Sequence, residues 1–219
     1  MVYFIIAYVA VLFLYFYSET SGKMALRAPN KIILASMFLV FAVVQFESHY
    51  EFLSFHLLLM VALFLAWMGD VFLLIDFNRG GDFFLCGNVC FFTYELAACI
   101  DKGFSFANFW WVFLLEFLLV GIFILLAKKY PDILKLGKMK GPMILYISSI
   151  TLHGMMGLAL MILLPGTNLA LLGLGSVLFM ISDYILTVDK FVIRNNKWIL
   201  RSNSAFYFTG LLLIVLSMV

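Results

Sequence analysis

Two aspartates open the same pattern twice. Asp70-Val-Phe-Leu73-Leu-Ile-Asp76 recurs at an offset of 113 residues as Asp183-Tyr-Ile-Leu186-Thr-Val-Asp189. Each string ends a long apolar run, so Asp70 and Asp183 lie at depth in whatever those runs form. An ionisable group in a membrane interior is costly unless it is paired or faces water, and it marks a functional site by default. Two carboxylates in one low-dielectric cavity do not ionise independently, so one can hold a proton while the other carries charge. That combination suits general acid/base chemistry, and equally the coupled movement of a proton and a solute. The plainer alternative is that each aspartate bonds a neighbouring helix.

Other polar residues share this depth. Tyr146, Ser149 and His153 fall at i, i+3 and i+7, a stripe on one helix face. Tyr146 sits at a depth near that of the two aspartates. So does Tyr207, with Asn203 one turn before it. Lys31 opens an apolar run at the same side, where it could hold a phosphate or a carboxylate, or simply snorkel to the interface. His153 reads either as a proton relay or as a bonded core histidine, and Glu95 and Glu116 are deep enough to need a partner or a cavity. Asp76 and Asp189, six residues on, lie about 120° around the helix from Asp70 and Asp183. They read as solvated residues at the membrane edge, off the central face. Cys86 and Cys90 share a face at i, i+4 but lack histidine neighbours within the spans, so they read as packing residues. With no H-E-x-x-H, P-loop or G-x-S-x-G string, neither a metal nor a cofactor is expected.

The elements that must position these residues are membrane helices. The 219 residues are 65% hydrophobic and 12% charged, too apolar for a water-facing globule. A net charge of +2 argues against a nucleic-acid partner, and three cysteines against a disulfide scaffold. Runs long enough to span a bilayer cover about 2–18, 31–46, 52–76, 83–100, 105–127, 141–164, 168–189 and 203–219. Ser21-Gly22, Gly80-Gly81, Lys102-Gly103, Gly137 with Gly141-Pro142, and Pro165-Gly166 break them. The first run has no basic n-region and no cleavage site, so it reads as a true span. Of 14 lysines and arginines, all but Lys102 fall in the stretches after spans 1, 3, 5 and 7. By the positive-inside rule both termini are non-cytoplasmic.

The expected architecture is thus an all-α polytopic membrane protein with eight transmembrane helices, in a single domain. The 113-residue offset also pairs Pro29 with Pro142, Ser36 with Ser149, and Tyr94 with Tyr207. Four spans per half predicts a parallel 4+4 internal repeat, about 1–106 and 107–219, around an axis along the membrane normal. On that arrangement Asp70 and Asp183 lie at equal depth, about 9 Å inside the cytoplasmic ends of their helices.

Laid out in order, these residues resemble the YhhN-like lysoplasmalogenase family. The resemblance rests on Gly69-Asp-Val-Phe-Leu-Leu-Ile-Asp76, Phe84-x-x-Gly87-x-x-x-Phe91, Tyr146, Ile181-Ser-Asp-Tyr-Ile-Leu-Thr-Val-Asp-Lys-Phe191 and the pair Phe206-Tyr207. It covers nearly the whole chain. The chain departs from the family pattern in carrying Glu95 where histidine is common, Gly210 where glutamine is common, and Lys31-Ile32 in place of Lys-Pro.

The resemblance implies hydrolysis of the vinyl-ether bond of a lysoplasmalogen to a fatty aldehyde and glycerophospho-ethanolamine or -choline. Acid-catalysed cleavage of such a bond proceeds through an oxocarbenium-type cation captured by water, the division of labour seen in glycosidase carboxylate pairs. On this reading Asp70 and Asp183 form the acid/base pair, with either as the acid. Tyr146 and Tyr207 orient the ether oxygen or the water, and Lys31 anchors the phosphate. Tyr94 and Asn203 complete the substrate-binding set, with His153 and Glu95 as a relay. The partners are a lysolipid and water, in a bacterial inner membrane or the endoplasmic reticulum. The competing reading is a proton-coupled transporter of a small amphipathic solute, which needs a cavity reaching both faces. A third, weaker reading is a catalytically silent membrane scaffold.

Overall fold

The computed structural model describes residues 2–21, 24–49, 54–193 and 196–219. They form eight α-helices: α1 (Val2–Thr20), α2 (Met24–His49), α3 (Leu57–Leu73), α4 (Phe77–Asp101), α5 (Phe106–Lys129), α6 (Lys140–Leu163), α7 (Asn168–Phe191) and α8 (Lys197–Leu216). A single 3₁₀ turn, Gly137–Met139, leads into α6. Seven helices are long and apolar enough to cross a membrane, and α3 is a shorter apolar helix of 17 residues. The chain is a multi-pass integral membrane protein.

Helix ends differ from the hydropathy reading where capping chemistry overrides it. Span 3 does not run to Asp76. The chain leaves α3 at Leu73, turns, and Asp76 becomes the N-cap of α4, its Oδ1 accepting from the backbone N–H of Asn78 at 2.8 Å and Arg79 at 3.3 Å. An aspartate satisfies orphan N–H groups at a helix start better than it continues a helix. Asp76 is accordingly exposed, in line with an edge position. Asp189 is not: α7 continues through Phe191, and the side chain is 7% exposed and lines an internal cavity. The paired strings therefore have different conformations at their second aspartate. Asp70 also lies one turn from the end of α3, whereas Asp183 lies two turns from the end of α7.

Span 2 begins earlier than its apolar run. α2 starts at Met24 and passes through Pro29, giving up one backbone hydrogen bond. Lys31 thus sits two turns into a helix and not at its mouth.

Neighbouring helices form a ring in the order α2, α3, α4, α6, α7, α8, closed by α8 against α2. α1 lies against α2 and α8, and α5 packs outside α6, leaving Trp110, Phe117 and Leu125 exposed on a surface suited to lipid. The tightest approaches are made by glycines. A Cβ on Gly175 would lie 2.6 Å from the carbonyl oxygen of Gly210, and one on Gly210 2.7 Å from that of Gly175, so α7 and α8 touch backbone to backbone. A Cβ on Gly69 would lie 2.7 Å from the Phe84 ring, which lets α4 close over α3 beside Asp70. Small residues at contacts of this kind are how membrane helices approach closely.

Candidate functional site

The C-terminal ends of α1, α3 and α7 and the N-terminal parts of α2, α4 and α8 surround a polar cavity of about 300 Å³. Asp70 and Asp183 both line it, 1% and 3% exposed. Lys31 Nζ lies 2.9 Å from Asp70 Oδ1, and Tyr207 OH donates to Asp70 Oδ2 at 2.7 Å. Asp70 is therefore an ion-paired carboxylate with both oxygens occupied. Tyr146 OH donates to Asp183 Oδ2 at 2.6 Å. Among the described residues no cation lies within ion-pair distance of Asp183.

The two aspartates thus reach one cavity, but their environments are unlike. Lys31 is bonded to Asp70, as its reading as a carboxylate partner expected, and it also lines the cavity. Asn203 also lines the cavity, where its Nδ2 donates to the Ser182 carbonyl at 2.7 Å and ties α8 to α7.

A second, apolar cavity of about 410 Å³ adjoins the first. It lies between α4, α6 and α7, lined by Leu85, Met139, Met143, Leu145 and Phe191 among others. Leu73, Phe77, Phe84 and Leu186 are shared by both cavities. Tyr146 lines the apolar cavity while its hydroxyl holds Asp183, which lines the polar one. That hydrogen bond stands where a charged compartment meets one shaped for hydrocarbon.

The sequence profile of the YhhN family matches residues 26–218, most of the chain. The chain belongs to the YhhN family. This is the lysoplasmalogenase family, and membership supports a function of that general type. Comparisons with curated proteins and with solved structures give no match.

Three residues expected at the site of this YhhN protein lie elsewhere. Tyr94 is at the far end of α4, its hydroxyl 3.0 Å from His56 Nδ1, beside a separate cavity of about 160 Å³ that Asp101 and Lys102 also line. Its counterpart by offset, Tyr207, bonds Asp70, so the pairing of these two tyrosines does not carry over into a shared site. Glu95 and His153 are 0% exposed and lie 3.3 Å apart, Glu95 Oε2 to His153 Nδ1, and Ser176 Oγ donates to Glu95 Oε1 at 2.6 Å. The His153 ring stacks on Phe91 at 4.8 Å. Neither residue lines the polar or the apolar cavity. They form a core cluster bonded through His153 Nδ1, while His153 Nε2 has no hydrogen-bond partner among the described residues. Glu116 likewise finds a partner, the Ser148 hydroxyl.

Sequence reasoning missed Glu19, Arg27 and Ser204, and misplaced Asp189. Glu19 has a side chain only 1% exposed; it accepts from Ser204 Oγ at 3.2 Å and from Tyr15 OH at 3.1 Å, and pairs with Arg27 Nη2 at 3.4 Å. The available signal was an acid and a base flanking one short break between apolar runs, which also describes any ordinary loop. Outside the spans, burial holds the His56 imidazole below the usual histidine range.

Proposed function

We propose that this protein hydrolyses the vinyl-ether bond of a lysoplasmalogen, with Asp183 as the acid and Asp70 as the carboxylate that stabilises the cation. The observation that carries the reading is the join between the two cavities. A single-chain lipid places its hydrocarbon along Leu85, Met143 and Leu145, which sets its vinyl ether beside Tyr146 and the aspartates and its head in the polar cavity.

The carboxyl without a cation is the one suited to hold a proton, and Tyr146 occupies its Oδ2, leaving Oδ1 to deliver that proton. The alkene carbon remote from the ether oxygen takes it, forming a new C–H bond and an oxocarbenium centre at the other carbon. Asp70, kept ionised by Lys31, lies across the cavity to balance that charge. Water adds to the cationic carbon and returns its proton to Asp183. The hemiacetal then breaks its C–O bond, its hydroxyl proton passing to the glycerol oxygen, and aldehyde and glycerophospholipid head leave. The organisation of the ends also favours hydrolysis over transport. Every element of the polar cavity belongs to one end of the ring, and along α4 the buried rings of Phe84 and Phe91, with Phe179 between them, separate it from the small cavity at the other end.

The test is aldehyde release from an alkenyl lysolipid by purified protein. Asp183→Asn and Asp70→Asn should each lower the rate by about 10²–10⁴-fold, the usual worth of a positioned proton-transfer group. Aldehyde release unchanged in either variant removes that residue from the assignment, and no aldehyde from the wild type removes the reading.

A further inference from the structure

Among the described residues, two buried atoms of residues lining the polar cavity have no hydrogen-bond partner: Arg27 Nε and Asp189 Oδ1. Resting on the hydrolase reading for the identity of the lipid, we propose that they receive its headgroup, Arg27 taking the phosphate and Asp189 a primary ammonium. The other charges that could compete are committed. Glu19 accepts from Tyr15, Ser204 and Arg27 Nη2, and Lys31 is bonded to Asp70. Facing the cavity are one orphan cationic N–H donor and one orphan anionic acceptor, near enough to feel each other's field and not within ion-pair distance, with the Lys190 ammonium also acting on Asp189 from its place over the Phe77 ring. Buried polar groups of native proteins are otherwise almost always bonded, so an orphan donor and an orphan acceptor in one cavity point to a ligand carrying the complementary pair.

A phosphate joined to an ammonium through two carbons has that pair of charges. A primary ammonium supplies the N–H that Asp189 Oδ1 lacks, whereas a quaternary ammonium has none to give. Quaternary groups are held instead on aromatic faces. The Phe77 ring of this cavity already carries Lys190 Nζ at 5.0 Å from its centroid. Tyr15, Phe84, Tyr207 and Phe208 also line the cavity, so the preference for ethanolamine over choline rests on the N–H that Asp189 Oδ1 can accept. A bare phosphate ester offers Asp189 Oδ1 no donor.

The inference is tested by calorimetric binding of glycerophosphoethanolamine, glycerophosphocholine and glycerol 3-phosphate to the full-length protein in detergent. Glycerophosphoethanolamine should bind about tenfold more tightly than the other two, the worth of one hydrogen bond to a charged group. Asp189→Asn should narrow that margin, weakening glycerophosphoethanolamine more than glycerophosphocholine, and Arg27→Gln should weaken all three. Equal binding of the ethanolamine and choline esters by the wild type overturns the proposal without any appeal to a variant. So does an Asp189→Asn protein with undiminished preference, since water then satisfies both atoms. None of the probes contains a vinyl ether. Discrimination without aldehyde release defeats the hydrolase reading alone, and aldehyde release without discrimination defeats the headgroup inference alone.

Discussion

Asp70 has an ammonium on one oxygen and a phenol on the other, while Asp183 has a phenol and, among the described residues, no cation within ion-pair distance; the proposed roles rest on this difference. It also makes Lys31 structurally indispensable. Removing one partner of a buried ion pair leaves an uncompensated charge, at a cost of about 3–5 kcal/mol. Lys31→Met should therefore lower the melting temperature in detergent sharply as well as abolish activity, while Lys31→Arg keeps most of the fold. A melting temperature for Lys31→Met equal to the wild type's means that Asp70 has another counter-charge. The two aspartates and two tyrosines were legible from depth alone, because a polar side chain far into an apolar run has few reasons to be there. Glu19, Arg27 and Asp189 were not. They meet only because the ends of α1, α2, α7 and α8 converge, and nothing local in the sequence records that convergence.

Among the elements, apolar runs correctly announced the helices, and capping and packing then set their limits. Asp76 reads in sequence as the twin of Asp189, yet one caps α4 and the other faces the cavity, since an N-cap is decided by the turn that precedes it. Gly210, a departure from the family pattern, has a packing reason in the backbone contact with Gly175. Gly210→Gln should thus force α8 away from α7, destabilising by about 1–3 kcal/mol as overpacked substitutions do, and should loosen Tyr207 from Asp70. A Gly210→Gln protein with wild-type stability and rate argues that the two helices slide apart freely. At the turn before α3, His56 should titrate with an NMR midpoint below about 6.5. Its folded-state pKa is depressed, so what the neutral ring contributes is present above that value and fades as the pH falls. His56→Gln should flatten that part of the pH–stability curve, and the effect is small because the residue is largely solvated.

For the whole molecule, the ring of six helices with α1 and α5 outside it gathers the polar residues of the site toward one end. By the positive-inside rule the distribution of lysine and arginine predicts that end to be cytoplasmic, so reporters fused to either terminus should register as non-cytoplasmic; a cytoplasmic reading at one terminus means an odd number of crossings. The shortness of α3 acts on the surroundings as well as on the protein. At 17 residues it rises about 25 Å, against roughly 30 Å of hydrocarbon in a typical bilayer. Local thinning of the membrane beside α3 is one way to accommodate so short a helix, and it would draw headgroups and water inward toward Asp70, one turn from the helix end. On the proposed function, a lysolipid diffusing in that leaflet would then meet the carboxylates without being lifted from its own environment. The rate should consequently fall as host acyl chains lengthen and the mismatch at this one helix grows.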